Sequence, residues 1–230
     1  MRNAYYIDEN KRKILRDNTI KGARQYSHYL VDKDFLVLCE DGKEYVLHFL
    51  KNDFRHLTGI KSDLRDDLFF QNSKKGHLDL GNIAEYQKYN WETLKSKSKG
   101  IVQIHKVLYE NIQNSLFLIN LHTNTRDFPV AIKNTNINAC IGFVDSYHKA
   151  RTLRKYNSSN NADLQKKIFL IAAKKSNMAL YNELVYISAI RNVYDLNESI
   201  LEKLSERVED KFLEVLTKPE QSGGYIANAR

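Results

Sequence analysis

Between Ile112 and Leu116 the apolar residues of this chain change from helical spacing to strand-like runs. That switch segregates helices from strands along the chain, which is the α+β plan. Before it, residues 10–33 carry Ile14, Leu15, Ala23, Tyr26, Tyr29 and Leu30 three to four apart, an amphipathic helix that Asp34 ends. Residues 79–98 read as a second helix, with Leu80, Ile83, Ala84, Gln87, Trp91 and Leu94 on one face and Gly100 as its breaker. Ile101, Ile104, Leu108 and Ile112 fit a short third one. After the switch, residues 116–122, 128–132, 137–144 and 168–173 are short runs rich in β-branched and aromatic side chains, and residues 180–189 read as a last strand.

One strand pair falls early. Residues 35–39 and 44–49 flank Glu40-Asp41-Gly42-Lys43, an Asp-Gly hairpin signal. Directly after it, the polar start of residues 52–59 caps a short helix that Gly59 ends. At the far end, Leu196, Ile200, Leu204, Val208, Phe212 and Leu216 recur at every fourth position, the stripe of an amphipathic helix. The expected organisation is an α+β domain over residues 1–194, with N-terminal helices packed on a small, mainly antiparallel sheet. Residues 195–218 then form a helix that packs on this domain or serves as an interface, and 219–230 a loose tail.

Charge narrows the function. The 230 residues hold 36 Lys and Arg against 28 Asp and Glu, a net +8 that favours a polyanionic partner, most commonly nucleic acid. The distribution is uneven: residues 195–230 carry five basic and eight acidic side chains (−3), leaving 31 against 20 (+11) in the body. Residues 146–175 are densest, with eight basic side chains to one acid, Asp163. Cys39 and Cys140 lie far apart in apolar runs without zinc spacing, so both are expected buried and reduced. No window approaches the roughly twenty apolar residues of a membrane span, and no secretory signal pattern opens the chain. A cytoplasmic protein without membrane contact is expected.

Familiar catalytic signatures are missing: no phosphate loop, GxGxxG, HExxH, GxSxG, Cys-His metal set or paired-aspartate pattern of a two-metal nuclease. Neither cofactor nor metal is therefore expected. A nuclease on this chain would cleave RNA by attack of the 2′-hydroxyl on its own phosphate, which needs proton transfer near neutrality and cations around the phosphorane. Of seven histidines, His56 stands apart, between a hairpin and Leu57-Thr58-Gly59, where a rigid turn can present its ring; a capping or buried histidine is the plain alternative. His148, beside the basic segment, is a secondary candidate. As a strand, residues 150–156 would put Thr152, Arg154 and Tyr156 on one face and Arg151, Leu153 and Lys155 on the other. The first face is a phosphate-binding trio with a stacking ring; a charged edge strand that resists aggregation reads equally well. Lys174 and Lys175 end the next apolar run and either join the cleft or stay solvated.

Residues 35–42, His48-Phe49 and above all Phe54-Arg-His-Leu-Thr-Gly59 resemble the fourth group of phage-type barnase–EndoU–colicin–RelE-like nucleases. Similarity continues through Ile141-Gly-Phe, Arg151-Thr-Leu, residues 168–175 and 181–186, covering about residues 11–187. The resemblance implies a compact barnase/RelE-like RNase fold and an RNA-cleaving toxin or effector carried by phages and mobile elements. It maps His56 onto the group's His-Leu-Thr-Gly histidine and Thr152 onto a small hydroxyl residue of the late strands. The group places Pro two positions before that hydroxyl, where this chain has Ala150, which loosens the alignment of that strand.

The leading reading is a metal-independent endoribonuclease, with catalytic His56, Thr152 and Arg154 and an RNA-binding set of Arg151, Lys155, Tyr156, Lys174, Lys175 and His148. Two others stay open. A non-catalytic phage protein would use the same groove to bind nucleic acid or inhibit a nuclease. An interaction partner would use the last helix to meet an antitoxin or a second copy.

Overall fold

A computed structural model describes residues 4–123, 126–155, 161–188 and 198–217. Strand β1 (Tyr5–Tyr6) leads into helix α1 (Glu9–Tyr29), which starts where Asp8 accepts a hydrogen bond from the Lys11 amide at 2.9 Å. Its buried stripe is Leu15, Thr19, Gly22, Ala23 and Tyr26; Ile14, expected inside, is exposed. Strands β2 (Lys33–Cys39) and β3 (Glu44–His48) form the expected hairpin, with Leu36 opposite Val46. Helices α2 (Phe54–Thr58) and α3 (Asp66–Lys75) follow.

Residues 79–98 do not form one helix. A single 3₁₀ turn at Leu80–Asn82 precedes strand β4 (Tyr86–Gln87), which pairs with β1. The extended course is pinned by buried Gln87, whose side-chain amide bonds Lys61 N at 2.7 Å, Lys61 O at 3.1 Å and Ala84 O at 2.7 Å. Helix α4 (Trp91–Val102) starts at the Asn90 cap and runs through Gly100, the expected breaker. A Cβ there would stand 3.2 Å from Leu153 Cδ2, so the glycine admits the sheet to the helix. Helix α5 (Lys106–Tyr109) completes the helical half.

The second half overturns the expectation of a small sheet under helices. Strands β5 (Ser115–His122), β6 (Phe128–Asn134), β7 (Ala139–Val144), β8 (Lys149–Arg154), β9 (Asn161–Lys175) and β10 (Glu183–Ile187) join the early hairpin in an eight-stranded sheet. Seven of these strands close into a barrel in the order β9-β2-β3-β8-β7-β6-β5, and β10 extends β9 outside the ring. All pairings are antiparallel except β3–β8, where His48 N donates to His148 O at 3.2 Å. Closure depends on β9, fifteen residues long: Asn161–Lys167 pairs with β5 and Ile168–Lys175 with β2. Only the apolar second half reads as a strand in sequence. The polar first half is held by backbone hydrogen bonds, which ask nothing of side-chain hydropathy.

Rings from parts of the sheet that are not adjacent meet on one face, Tyr45 of β3 with Phe117 of β5 at 4.5 Å and Phe49, just after β3, with Phe143 of β7 at 5.6 Å. That face therefore looks inward, and it shares one core with Leu15, Tyr26, Phe54, Phe70 and Leu94 of the helices. The outer face of β2 and β9 is covered by α6 (Glu198–Leu201) and α7 (Glu206–Thr217). The expected single helix breaks near Lys203, where Lys203 O accepts from Tyr181 N at 2.9 Å. Its every-fourth stripe survives the break: Ile200, Leu204, Val208 and Phe212 are all buried against Leu36, Leu38 and Phe169. Both cysteines are free and buried, and burial pushes each thiol up to about 12. Among the described residues no helix is long and apolar enough to cross a membrane.

Candidate functional site

The segment Phe54-Arg-His-Leu-Thr-Gly59 is helix α2 with its cap. Phe54 and Leu57 are buried in the shared core. The Thr58 hydroxyl donates to Arg55 O at 2.7 Å and accepts from Ile60 N at 3.2 Å. Gly59 ends the helix at φ +72, donating to Arg55 O and His56 O. A Cβ on it would meet Lys97 Cδ at 2.8 Å and Tyr89 Cδ2 at 3.3 Å, so backbone and space both require glycine. Arg55 is also committed: it donates to Ser62 O and Leu64 O, both at 3.2 Å, and pairs with Asp66. Only the imidazole of His56 is left over for chemistry.

The His56 side chain is 38% exposed, and its Nε2 lies 3.5 Å from Asp66 Oδ2. The ring shares a shallow pocket of about 290 Å³ with Arg55, Gly59, Lys61, Lys88 and Tyr89. Partial burial, then the positive charge of Arg151, lowers its pKa, against the opposing pull of Asp66 and Asp53. His56 is therefore mainly neutral at pH 7. A carboxylate facing Nε2 favours the tautomer with its hydrogen there, leaving Nδ1 to accept a proton.

Arg151 reaches this site through a bulge in β8. The register with β7 slips between Gly142 and Phe143, so Ala150 and Leu153 both turn into the core and Arg151 is left between them. Its guanidinium pairs with Asp53, which is 5% exposed and sits in the turn before α2. Burial raises the Asp53 pKa, and Arg151 opposes the rise. The second carboxylate oxygen, Oδ2, is buried with no hydrogen-bond partner among the described residues. Arg151, Asp53 and His56 thus form one electrostatic unit where α2 packs on β8.

The other expected site residues separate. Thr152 is buried, with its methyl beside Gly142, where Phe128 also packs. Arg154 lies over the Phe128 ring at 5.9 Å and, with Lys155, lines a groove against α4. His148 sits in the turn before β8, 5.9 Å from the Tyr45 ring, and burial lowers its pKa. Lys174 donates to Ala179 O at 3.1 Å and lies over the Tyr181 ring. Lys175 lines a different groove, beside α7. Tyr156 lies outside the described residues. Sequence reading missed Asp53, Asp66 and Lys97. Of these only Lys97 had a signal, a lysine three residues from Leu94 on the buried face of α4.

Among the described residues no three His, Cys, Asp or Glu side chains gather as a metal-binding group. The family model described as phage-Barnase-EndoU-ColicinE5/D-RelE like nuclease 4 matches residues 20–189, a span that includes α2 and all seven strands of the barrel. No curated protein and no solved structure gives a significant match.

Proposed function

The chain belongs to this family of phage-type nucleases, and from that premise we propose that it is a metal-independent endoribonuclease acting at His56. The observation that carries the reading is a partly exposed, mainly neutral histidine electrostatically coupled to Arg151, within the matched region. In this mechanism His56 removes the proton of the 2′-hydroxyl. The 2′-oxygen attacks the adjacent phosphorus, the bond to the 5′-oxygen breaks, and that oxygen leaves with a proton from water in the open pocket. The products are a 2′,3′-cyclic phosphate and a 5′-hydroxyl.

In this reading Arg151, electrostatically coupled to His56, is the cation that meets negative charge growing on the phosphorane, a role expected in sequence of Arg154. Asp53 restrains the guanidinium from behind. Thr152, buried beside Gly142 and Phe128, supports the strand that carries Arg151. A toxin or phage effector role, and an antitoxin-like partner, fit such an activity.

Purified protein is expected to cleave single-stranded RNA in EDTA and leave cyclic-phosphate ends, while His56→Ala does not. Cleavage that needs a divalent ion, or that survives His56→Ala, would overturn the mechanism. The non-catalytic reading predicts instead RNA binding without cleavage by the unaltered protein.

A further inference from the structure

The pocket at His56 does not end at Tyr89. The stem of Lys97 fills the space under Gly59 and its ammonium lies 5.7 Å from the Tyr89 ring, so one side chain separates this pocket from the next. Beyond it runs an open groove of about 560 Å³ between α4 and β8. Lys95, Lys97, Lys99, Arg154 and Lys155 line it against a single acid, Glu92. None of the five cations pairs with a carboxylate among the described residues.

Lys97 is the unusual member. It occupies a core position of an amphipathic helix, is 8% exposed, and donates to one acceptor, Leu153 O, at 2.8 Å. An ammonium has three donors, and a buried cation without a counter-charge is unfavourable. Burial, then Arg154, lowers its pKa to about 8. An anion in the groove would supply both missing partners and missing charge. Lys95 and Lys99 stand four residues apart, one turn of α4, and Arg154 faces them from the end of β8.

We propose that the α4–β8 groove, with Lys97 at its floor and Lys95, Lys99, Arg154 and Lys155 around it, binds a backbone phosphate of the RNA strand other than the one cleaved at His56. This deepens the ribonuclease reading and rests on it for the choice of RNA. The substrate is then an oligonucleotide that runs past Tyr89, which lines the His56 pocket.

The test is anisotropy of a fluorescent twelve-nucleotide single-stranded RNA on the His56→Ala protein across a salt series, with inorganic phosphate as a competing probe. Lys95→Glu/Lys99→Glu is expected to weaken binding at least tenfold and to lower the salt slope by about 0.7, one single-strand phosphate contact. Lys97→Met weakens binding in the same direction; should it fail to fold, the surface double variant decides. Arg207→Glu/Lys211→Glu, in the groove beside α7, is expected to stay within twofold. Unchanged RNA affinity and slope in Lys95→Glu/Lys99→Glu would overturn the proposal. So would loss of inorganic phosphate binding alone, because the groove would then take only a small anion. Binding is read without cleavage, so the two readings fail separately: a protein that cuts no RNA yet shows the affinity loss loses only its mechanism.

Discussion

Two grooves on this molecule are basic, and they differ in what surrounds the charge. The α4–β8 groove holds five cations, one of them buried, none of which pairs with a carboxylate among the described residues, and it lies next to a histidine whose pKa is lowered. The groove between β10 and α7, about 440 Å³, is lined by Lys33, Lys175, Arg207 and Lys211. There Lys33 already pairs with Glu183 at 2.6 Å and donates to the Tyr109 hydroxyl at 3.1 Å. Helix α7 adds Glu206, Glu209, Asp210 and Glu214. Charge density therefore does not locate a nucleic-acid site by itself. The basic stretch of residues 146–175 feeds both grooves, Arg154 and Lys155 going to one and Lys175 to the other.

The comparison breaks most sharply at His56. His56→Ala is expected to lower kcat/KM for RNA by about 10³-fold, about 4 kcal/mol of transition-state stabilisation, in a single-turnover cleavage assay. Retained cleavage would remove the distinction between the grooves. Phe212→Ala attacks the other region. Phe212 is fully buried between α7 and the barrel, and its truncation is expected to cost about 3 kcal/mol in urea unfolding. Cleavage per folded molecule should stay constant, because the His56 pocket is lined from residues 55–61 and 88–89 and not from the described part of α7.

Arg151→Gln sharpens the first region in two ways. It leaves buried Asp53 unpaired, at a cost of about 2 kcal/mol at neutral pH, discounted because Arg151 keeps a third of its surface exposed. Asp53 already has a raised pKa in the fold, and losing Arg151 raises it further. Once both proteins are acid enough to protonate it, the charge no longer matters, so their stability difference should shrink as pH falls through the carboxylate range. The second readout is the acid limb of the rate. Wild-type activity should fall off below the ordinary histidine value of about 6.5, since burial and Arg151 lower the His56 pKa. In the variant that limb should move up. A fixed limb would separate Arg151 from His56. The smallest effect is expected from Arg207→Glu/Lys211→Glu, less than a twofold change in cleavage rate, measured with the same RNA.

How much was legible depended on whether a signal was local. The hairpin around Asp41-Gly42 was readable because two apolar runs and the turn between them sit within residues 35–49. The His-Leu-Thr-Gly segment was readable too, though most of it proves to be a helix end: Thr58 and Gly59 shape the turn and leave His56 displayed. Ideal alternation puts Arg151 on the face opposite Thr152 and Arg154 but does not foretell its meeting with Asp53, which follows from a single bulge that leaves Arg151 between Ala150 and Leu153. Asp53 was unremarkable in sequence. It matters only because a residue almost a hundred positions later reaches it.

The sequence alone determined the α-to-β order, the apolar stripes that become the core, the basic body with its acidic end, and the histidine at the end of a short helix. These follow from periodicity, turn residues and charge, which act over a few residues. Tertiary structure decided the rest. It closed seven strands into a barrel through a β9 whose first half looks like a loop, because backbone pairing is blind to side-chain hydropathy. It also sorted the cations, joining Arg151 to Asp53 beside His56 and Lys97 to an open groove while leaving Lys175 beside α7, since which charges come together depends on contacts that no local pattern encodes.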